Sequence, residues 1–216
     1  MNTDDITFRK AILEEDFEEC LNVICDAFQG YPIYSIYTNK DDKQQQQFDR
    51  ALMYCQLMDA FVHDTVMVAE YDKQILCVTL IQNPERKEPS VLEYILHLGG
   101  LSVFKTGGIK NTFGFLHMVE KINLPREEYS KKTPKTWNLE CIAVNKNFKG
   151  QGIGSKMINE CVVPLVRENG ANHLTLITNK EKNTLFYKKN DFKVFQYDKF
   201  DINNKLVENW CFTRTI

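Results

Sequence analysis

The feature that most constrains the fold is a glycine-rich turn between an apolar strand and an amphipathic helix. Trp137–Val144 predicts a strand whose nearly continuous apolar end is typical of burial on both faces. After a five-residue turn comes Gly150-Gln151-Gly152-Ile153-Gly154-Ser155, and apolar residues at helical spacing then continue to Gly170. Glycines let successive backbone N–H groups converge and a helix N-terminus adds partial positive charge, so this construction suits a phosphate. A tight turn that needs small residues for packing explains the glycines equally well.

Two nucleotide-binding interpretations of this turn fail on residue order. A Walker A loop ends in Gly-Lys-Ser/Thr, whereas this chain has Gly154-Ser155-Lys156. A dinucleotide-binding fold requires GxGxxG and an acidic residue that closes the next strand. Here that strand, His173–Thr178, runs into Asn179. Neither nucleotide-binding fold is expected.

The order of the predicted elements indicates a mixed α/β sheet. The strand and helix around the turn are followed by the strand His173–Thr178, the helix Lys180–Asn190, and the strands Phe192–Phe200 and Leu206–Thr213. Upstream, the patterns predict a strand at residues 6–12, helices at residues 16–28 and from the glutamine tract to residue 62, and a hairpin of residues 66–71 and 75–82.

The middle of the chain, about residues 83–135, predicts helices that cover one face of the sheet. Ser90 followed by Glu93 has capping-box spacing and opens a helix that we expect to reach about Phe104. After the breaker Thr106-Gly107-Gly108, a second helix is expected at Thr112–Lys121, and residues 131–135 are expected to form a loop. The segment shows no internal repeat and need not be a separate domain, and we expect a single domain over residues 1–216 with a helical insertion.

Charge and cysteine content exclude several classes. The 27 basic and 29 acidic residues give a net charge of −2, which provides no field for binding nucleic acid. The seven cysteines are odd in number, have no CxxC spacing and mostly lie in apolar runs, so we expect reduced thiols, no metal site and a cytoplasmic location. The acidic N-terminus lacks a signal peptide, and the most apolar stretch is too short to span a membrane.

Two separated segments resemble the acetyl-CoA-binding segments of the GCN5-related N-acetyltransferase (GNAT) superfamily. Leu139–Ile158 carries a close relative of its pattern (Gln or Arg, two residues, Gly, any residue, Gly or Ala), with Lys149 at the first position. Asn179–Phe192 resembles its second segment. Further segments at residues 26–32, 132–137 and 208–214 are similar to the puromycin N-acetyltransferase branch. The resemblance implies a mostly antiparallel central sheet flanked by helices, with a splayed parallel strand pair that binds acetyl-CoA.

The resemblance also implies roles for individual residues. Backbone groups of Ile142, Ala143 and Val144 would pair with the pantetheine arm, and the N–H of Val144 would face the thioester carbonyl oxygen. Asn183 would contact the cofactor and Tyr187 would protonate the departing thiolate, although an aromatic packed beside Phe186 is its ordinary structural explanation. The pyrophosphate would bind the backbone N–H groups and the side-chain hydroxyl of the turn residues, namely Lys149, Gly150, Gln151, Gly152, Ile153, Gly154 and Ser155.

Two further residues are left with open alternatives. Glu140 occupies the strand position where other branches hold a catalytic base, but a carboxylate bonded to a neighbouring lysine or to backbone fits its position as well. Tyr31 is an acceptor-site residue by resemblance, whereas its place between Gly30 and Pro32 also suits an aromatic in a surface turn.

The resemblance implies an acetyl-CoA-dependent N-acetyltransferase, in which the primary amine of a small molecule attacks the thioester directly. Acetylation of a protein or peptide and a non-catalytic acetyl-CoA-binding module stay open as alternatives. The expected partners are a small-molecule amine and no nucleic acid or membrane, with the chain as a monomer or homodimer.

Overall fold

A seven-stranded mixed sheet forms the centre of the molecule in a computed structural model, which describes residues 3–36 and 42–216. The strands in this part of the chain are β1 (Thr7–Lys10), β2 (Thr65–Tyr71), β3 (Gln74–Gln82), β4 (Thr136–Val144), β5 (His173–Thr178), β6 (Lys193–Ile202) and β7 (Lys205–Thr215). Their order across the sheet is β1-β2-β3-β4-β5-β7-β6. Neighbouring strands are antiparallel except β4 and β5, which are parallel. The predicted mixed, mostly antiparallel sheet with one parallel pair is confirmed.

Helices cover both faces of this sheet. They are α1 (Leu13–Phe28), α2 (Asp42–His63), α3 (Val91–Leu96), α4 (Gly100–Lys132), α5 (Ile153–Lys156), α6 (Val163–Glu168) and α7 (Glu181–Lys189), and a π-helical turn at Met157–Val162 joins α5 to α6. One hydrophobic core lies beneath α1, α2 and α4, and a second lies beneath α5, α6 and α7. Over the described ranges, none of these helices has the length and apolarity needed to cross a membrane.

The central strands are apolar on both sides because each side faces a core. In β3, Val78 and Leu80 belong to the first core, whereas Leu76 and Cys77 belong to the second. The seven thiols are free, and six of them are buried. The interpretation of the cysteines as small buried hydrophobes is therefore confirmed.

The insertion is helical as expected, but its helices differ from the predicted ones. The Ser90 Oγ accepts a hydrogen bond from the backbone N–H of Glu93, as the capping-box spacing predicts. The helix ends at Leu96 rather than near Phe104, because Gly99 adopts a left-handed φ of 87° and a new helix begins after it. One long helix then replaces the shorter predicted one.

The predicted helix breaker at residues 106–108 is confirmed, but the loop predicted at residues 131–135 is partly wrong. Gly108 has non-helical angles (φ 73°, ψ 165°) and kinks α4. At Gly107 a Cβ would lie 2.1 Å from the Phe48 ring, so only glycine lets α4 approach α2 here. Beyond residue 121, α4 continues to Lys132, because Ile122 is buried in the first core and Tyr129 stacks on Phe195 at 4.3 Å.

Candidate active site

The parallel strands β4 and β5 pair only at their beginnings and then separate. Their pairing covers residues 136–138 of β4 and residues 173–175 of β5. On the other side of β4, the Asn145 N–H donates to Leu76 O (2.8 Å), and Val144 lies opposite Cys77. Because opposed residues of antiparallel strands alternate between hydrogen-bonded and non-hydrogen-bonded pairs, Val144 and Ile142 direct their backbone groups away from β3. These groups therefore face the gap between β4 and β5.

The same alternation separates Ala143 from the other predicted cofactor-binding residues of β4. Ala143 lies opposite Val78 at a hydrogen-bonded position, so its backbone groups bond to β3. Its side chain is fully buried in the first core. Of the three β4 residues predicted to pair with the cofactor, Ile142 and Val144 have the required backbone direction and Ala143 does not.

The glycine turn directly continues from this gap, and its glycines serve two different purposes. Gly150 and Gly152 each have a φ of 81°, and a Cβ at either position would meet no atom within 4 Å, so the space beside the turn is open. At Gly154 a Cβ would lie 3.2 Å from the Phe186 ring and 3.3 Å from a Val144 methyl carbon. The first two glycines thus form an open backbone cradle at the start of α5, and the third permits close packing.

Positive charge is concentrated around the cradle. Lys149, Lys180, Lys182 and Lys189 line one cleft together with the glycine turn. Burial lowers the pKa of the Lys180 ammonium below its usual value, and the charges of Lys182 and Lys149 lower it further. Mutual repulsion among these cations indicates a site whose electrostatics favour a bound anion.

Glu140 lies at a bulge in β4. Cys141 is opposite Leu80 and Leu139 is opposite Ile81, so Glu140 has no partner in the ladder with β3. A bulge re-aims the side chain at the irregular position, which is how a carboxylate in a central strand reaches the cleft.

The carboxylate of Glu140 is held by two side-chain amides. Gln56 of α2 donates to Oε1 at 3.0 Å, and Asn138 of β4 donates to Oε2 at 2.8 Å. Asn138 is oriented in turn by a bond of 2.8 Å from its Nδ2 to Gln82 Oε1. The structural explanation of Glu140 expected its carboxylate to bond to a lysine or to backbone. Both observed partners are instead side-chain amides. Because a carboxylate offers about four lone-pair sites, it can still accept from an amine or a water molecule.

Tyr187 faces the cleft from α7. Its ring is 8% exposed and packs against Phe186, Phe192 and Phe212, with ring centroids 5.2–6.0 Å apart. Its hydroxyl makes no hydrogen bond to any residue in the described part of the chain. Burial raises the pKa of this phenol well above its usual value, with smaller contributions from Tyr31 and Cys141. The packed-aromatic explanation thus holds for the ring, while the hydroxyl stays protonated and available to a ligand.

Tyr31 is buried in the same cleft and is not a surface aromatic. Its hydroxyl accepts from the backbone N–H of Asn179 (2.9 Å) and shares a hydrogen bond with the Thr178 hydroxyl (3.1 Å). The Asn183 Nδ2 also donates to the Thr178 hydroxyl at 3.1 Å. The ammonium of Lys180 lies 4.8 Å from the centre of the Tyr31 ring. Tyr31 therefore docks on the junction between β5 and α7.

One cleft of about 520 Å³ brings most of the predicted residues together. The predicted residues that line it are Tyr31, Glu140, Ile142, Val144, Lys149, Gly150, Gly152, Ile153, Gly154, Ser155, Asn183 and Tyr187. Ala143 and Gln151 do not line it, the first because it is buried and the second because it is exposed beside the turn. Among the described residues, no group of three His, Cys, Asp or Glu side chains could hold a metal ion.

Sequence reasoning missed two sets of residues around the cleft. Lys180 and Lys182 could have been found, because two cations stand at the start of a helix that carries the second acetyl-CoA-like segment. Gln56 and Thr178 give no comparable signal. Gln56 contacts Glu140 across 84 positions of sequence, and Thr178 contacts Tyr31 across 147 positions. No local sequence pattern predicts such contacts.

Comparison with known proteins agrees with this fold. Residues 111–194 match the family model described as an acetyltransferase (GNAT) domain. The matched segment includes β4, the glycine turn and α7. No curated protein sequence matches the chain. Residues 111–194 therefore resemble an acetyltransferase domain of the GNAT class.

Solved structures of this class share the fold over almost the whole chain. A polyamine N-acetyltransferase from Drosophila melanogaster aligns over 98% of this chain and 100% of its own, with 10% identity and a TM-score of 0.65. A histone acetyltransferase HPA2 and related acetyltransferase from Corynebacterium glutamicum aligns over 98% and 96%, with 17% identity and a TM-score of 0.64. The PaiA N-acetyltransferase from Thermoplasma acidophilum, in complex with coenzyme A, aligns over 98% and 99%, with 13% identity and a TM-score of 0.55.

Proposed function

We propose that the chain transfers an acetyl group from acetyl-CoA to the primary amine of a small molecule, by direct attack of the amine on the thioester. The observation that carries this proposal is the composition of the cleft. A bonded carboxylate, Glu140, and a buried phenol without a bonding partner in the described chain, Tyr187, line it together with the glycine cradle. An acyl transfer to an amine requires a base, a proton donor and a held cofactor, and the cleft contains a candidate for each.

The residues present fit the cofactor. Acetyl-CoA supplies an acetyl group on a thioester, whose thiolate leaves when an amine attacks the carbonyl carbon. The open cradle at Gly150 and Gly152, with the Ser155 hydroxyl, suits the pyrophosphate, and the four lysines of the cleft suit its negative charges. The outward-directed backbone groups of Ile142 and Val144 suit the amide-bearing pantetheine arm, and we assign Asn183 to the same ligand.

Glu140 acts as the base in this proposal. Its carboxylate removes a proton from the acceptor ammonium, directly or through water, so that the amine becomes nucleophilic. The bonds from Gln56 and Asn138 fix the position of the carboxylate and so reduce the reorganisation that proton transfer requires.

Tyr187 acts as the proton donor. Because burial raises the pKa of its phenol, the hydroxyl carries its proton over the whole working pH range. At hydrogen-bond distance from the thiolate it needs to donate only as negative charge develops on sulfur. Packing of its ring against three aromatic side chains holds the hydroxyl in place.

A small cationic amine is the acceptor that we favour. The neighbour from Drosophila melanogaster is described as a polyamine N-acetyltransferase, and the Glu140 carboxylate, which can attract a cationic amine, lines the same cleft as Tyr31. We assign Tyr31 to the acceptor side. The puromycin branch, a single domain over residues 1–216, a monomer or homodimer and a cytoplasmic location stay predictions.

A screen of acceptors, with release of free coenzyme A thiol as the readout, tests this function. The panel contains polyamines, agmatine, aromatic amines and lysine-containing peptides at neutral pH. Turnover with small amines and none with peptides is the expected result. Turnover with peptides alone would redirect the proposal to protein acetylation. If acetyl-CoA binds and no acceptor turns over, the chain is an acetyl-CoA-binding module and the proposed activity is wrong.

A further inference from the structure

A buried chain of hydroxyl and amide groups joins two sides of the cleft that are distant in sequence. The Thr178 hydroxyl lies 3.1 Å from the Tyr31 hydroxyl and accepts from Asn183 Nδ2, also at 3.1 Å. Thr178 is the last residue of β5 and is only 1% exposed. Tyr31 precedes α2, whereas Asn183 lies on α7. A single hydroxyl thus contacts both the residue assigned to the acceptor and a residue assigned to the cofactor.

Tyr31 also fixes the backbone where β5 ends. It contacts three consecutive residues, through hydrogen bonds with Thr178 and with the Asn179 N–H and through its ring with the Lys180 ammonium. This junction sets the direction of α7, which carries both Asn183 and Tyr187. A change in the Tyr31–Thr178 contact would therefore reach the cofactor-binding side of the cleft.

A count of donors and acceptors shows that one O–H hydrogen of this hydrogen-bonded chain has no acceptor among the residues that the structure describes. The hydroxyls of Tyr31 and Thr178 contribute two O–H hydrogens, and the N–H groups of Asn179, Lys180 and Asn183 contribute three more. The Thr178 oxygen accepts from Lys180 N (3.5 Å) and from Asn183 Nδ2, which uses both of its lone pairs, so its own hydrogen is donated to the Tyr31 oxygen. The Tyr31 oxygen accepts this hydrogen and the Asn179 N–H, and its own hydrogen has no acceptor among the described residues. Since Tyr31 lines the cleft, this hydrogen is available to a bound ligand.

We infer that Thr178 is a positioning residue for acetyl transfer, whose hydroxyl holds Asn183 in the arrangement that binds acetyl-CoA and ties it to Tyr31 on the acceptor side. The inference rests on the proposed function, since it assigns the cofactor to the side of the cleft that contains Asn183. It goes beyond that function because Thr178 does not line the cleft and acts only through its two partners.

The test compares Thr178→Val with Thr178→Ser and with a matched control, Thr136→Val. Valine keeps the volume and the β-branched shape of threonine and replaces its hydroxyl with a methyl group. Thr136 is also a buried strand threonine, but its hydroxyl donates to Thr133 O (2.6 Å) at the far end of β4. Calorimetry gives the dissociation constant of acetyl-CoA, steady-state kinetics give kcat and KM, and a thermal melt gives the stability of each variant.

Thr178→Val is expected to raise both the dissociation constant and the KM for acetyl-CoA about 3- to 10-fold, as for the loss of one or two buried hydrogen bonds. Thr178→Ser should restore both values, and Thr136→Val should change only the melting temperature. In a Tyr31→Phe background, Thr178→Val should raise the dissociation constant by a smaller factor than it does alone. Both substitutions remove the same Tyr31–Thr178 hydrogen bond. Wild-type binding and KM in a folded Thr178→Val would overturn the inference, whereas an absence of acetyl-CoA binding in the wild type would overturn the proposed function itself.

Discussion

The two halves of the cleft are built in different ways. The cofactor half consists mainly of backbone, with the outward-directed groups of β4 and the open cradle at Gly150 and Gly152. The acid–base half consists of side chains. In it, Glu140 of β4 depends on Gln56 of α2, and Tyr31 depends on Thr178, which is distant in sequence. The first half is specified by the backbone conformation of one segment. The second half requires contacts between residues that are far apart in sequence, with separations of 84 positions for Gln56–Glu140 and 147 positions for Tyr31–Thr178.

This difference determines how each half responds to substitution. A backbone site is insensitive to most side-chain changes, but it fails when a side chain occupies the space that a glycine leaves open. A side-chain site loses one chemical function at a time, and loss of a catalytic side chain such as Glu140 or Tyr187 leaves binding of the cofactor largely intact. Substitutions in the two halves should therefore separate binding from turnover.

Gly152→Asp should have the largest effect, because it places bulk and negative charge in the cradle at the N-terminus of α5. We expect binding of acetyl-CoA to weaken by about 100-fold or more, and turnover to fall with it. Gly170→Asp is the matched control, since Gly170 has a φ of 74° and equally open surroundings but lies at the end of α6. Equal affinities of the two folded variants, measured by calorimetry, would show that the cradle does not bind the cofactor.

Tyr187→Phe should have a smaller effect on binding and a large one on turnover. The substitution keeps the ring and its aromatic contacts and removes only the hydroxyl. Loss of the proton donor should lower kcat by about 10² to 10⁴, with little change in the affinity for acetyl-CoA. Tyr129→Phe serves as control because Tyr129 lies on α4, outside this cleft. Full activity of Tyr187→Phe between pH 6 and 9 would exclude Tyr187 as the acid.

The same division explains what could be predicted from the sequence. The strand, the turn and the helix around Gly152 follow from local patterns, because glycine spacing and apolar periodicity act over a few residues. The insertion was harder to predict. The left-handed Gly99 ended a helix early, and burial of Ile122 extended another beyond its predicted end. Gly107 belongs to the predicted breaker, but glycine is required there because the Phe48 ring lies against it.

Within the candidate site, the sequence and its family resemblance predict residues that line one cleft, but not the contacts that surround them. The position of Glu140 was predicted, but the bulge that aims it and the amide of Gln56 that holds it were not. The family resemblance groups Ala143 with Ile142 and Val144, whereas the hydrogen-bonding register of β3 and β4 directs its backbone away from the cleft. The bulge and the backbone direction depend on the register between β3 and β4, two strands that are distant in sequence.

The central claim is that Glu140 accepts a proton from the amine in a cleft where the cofactor is held independently. A pH–rate profile of Glu140→Gln, with an amine that the wild type acetylates, tests it most directly. The variant should bind acetyl-CoA like the wild type and should be slower by about 100-fold at pH 7, where the amine is protonated. Raising the pH towards the pKa of the amine should recover much of that loss, and Glu120→Gln, at an exposed position of α4, should follow the wild type throughout. A Glu140→Gln profile parallel to the wild-type profile, or lower stability as its only defect, would contradict the account and make Glu140 a structural residue.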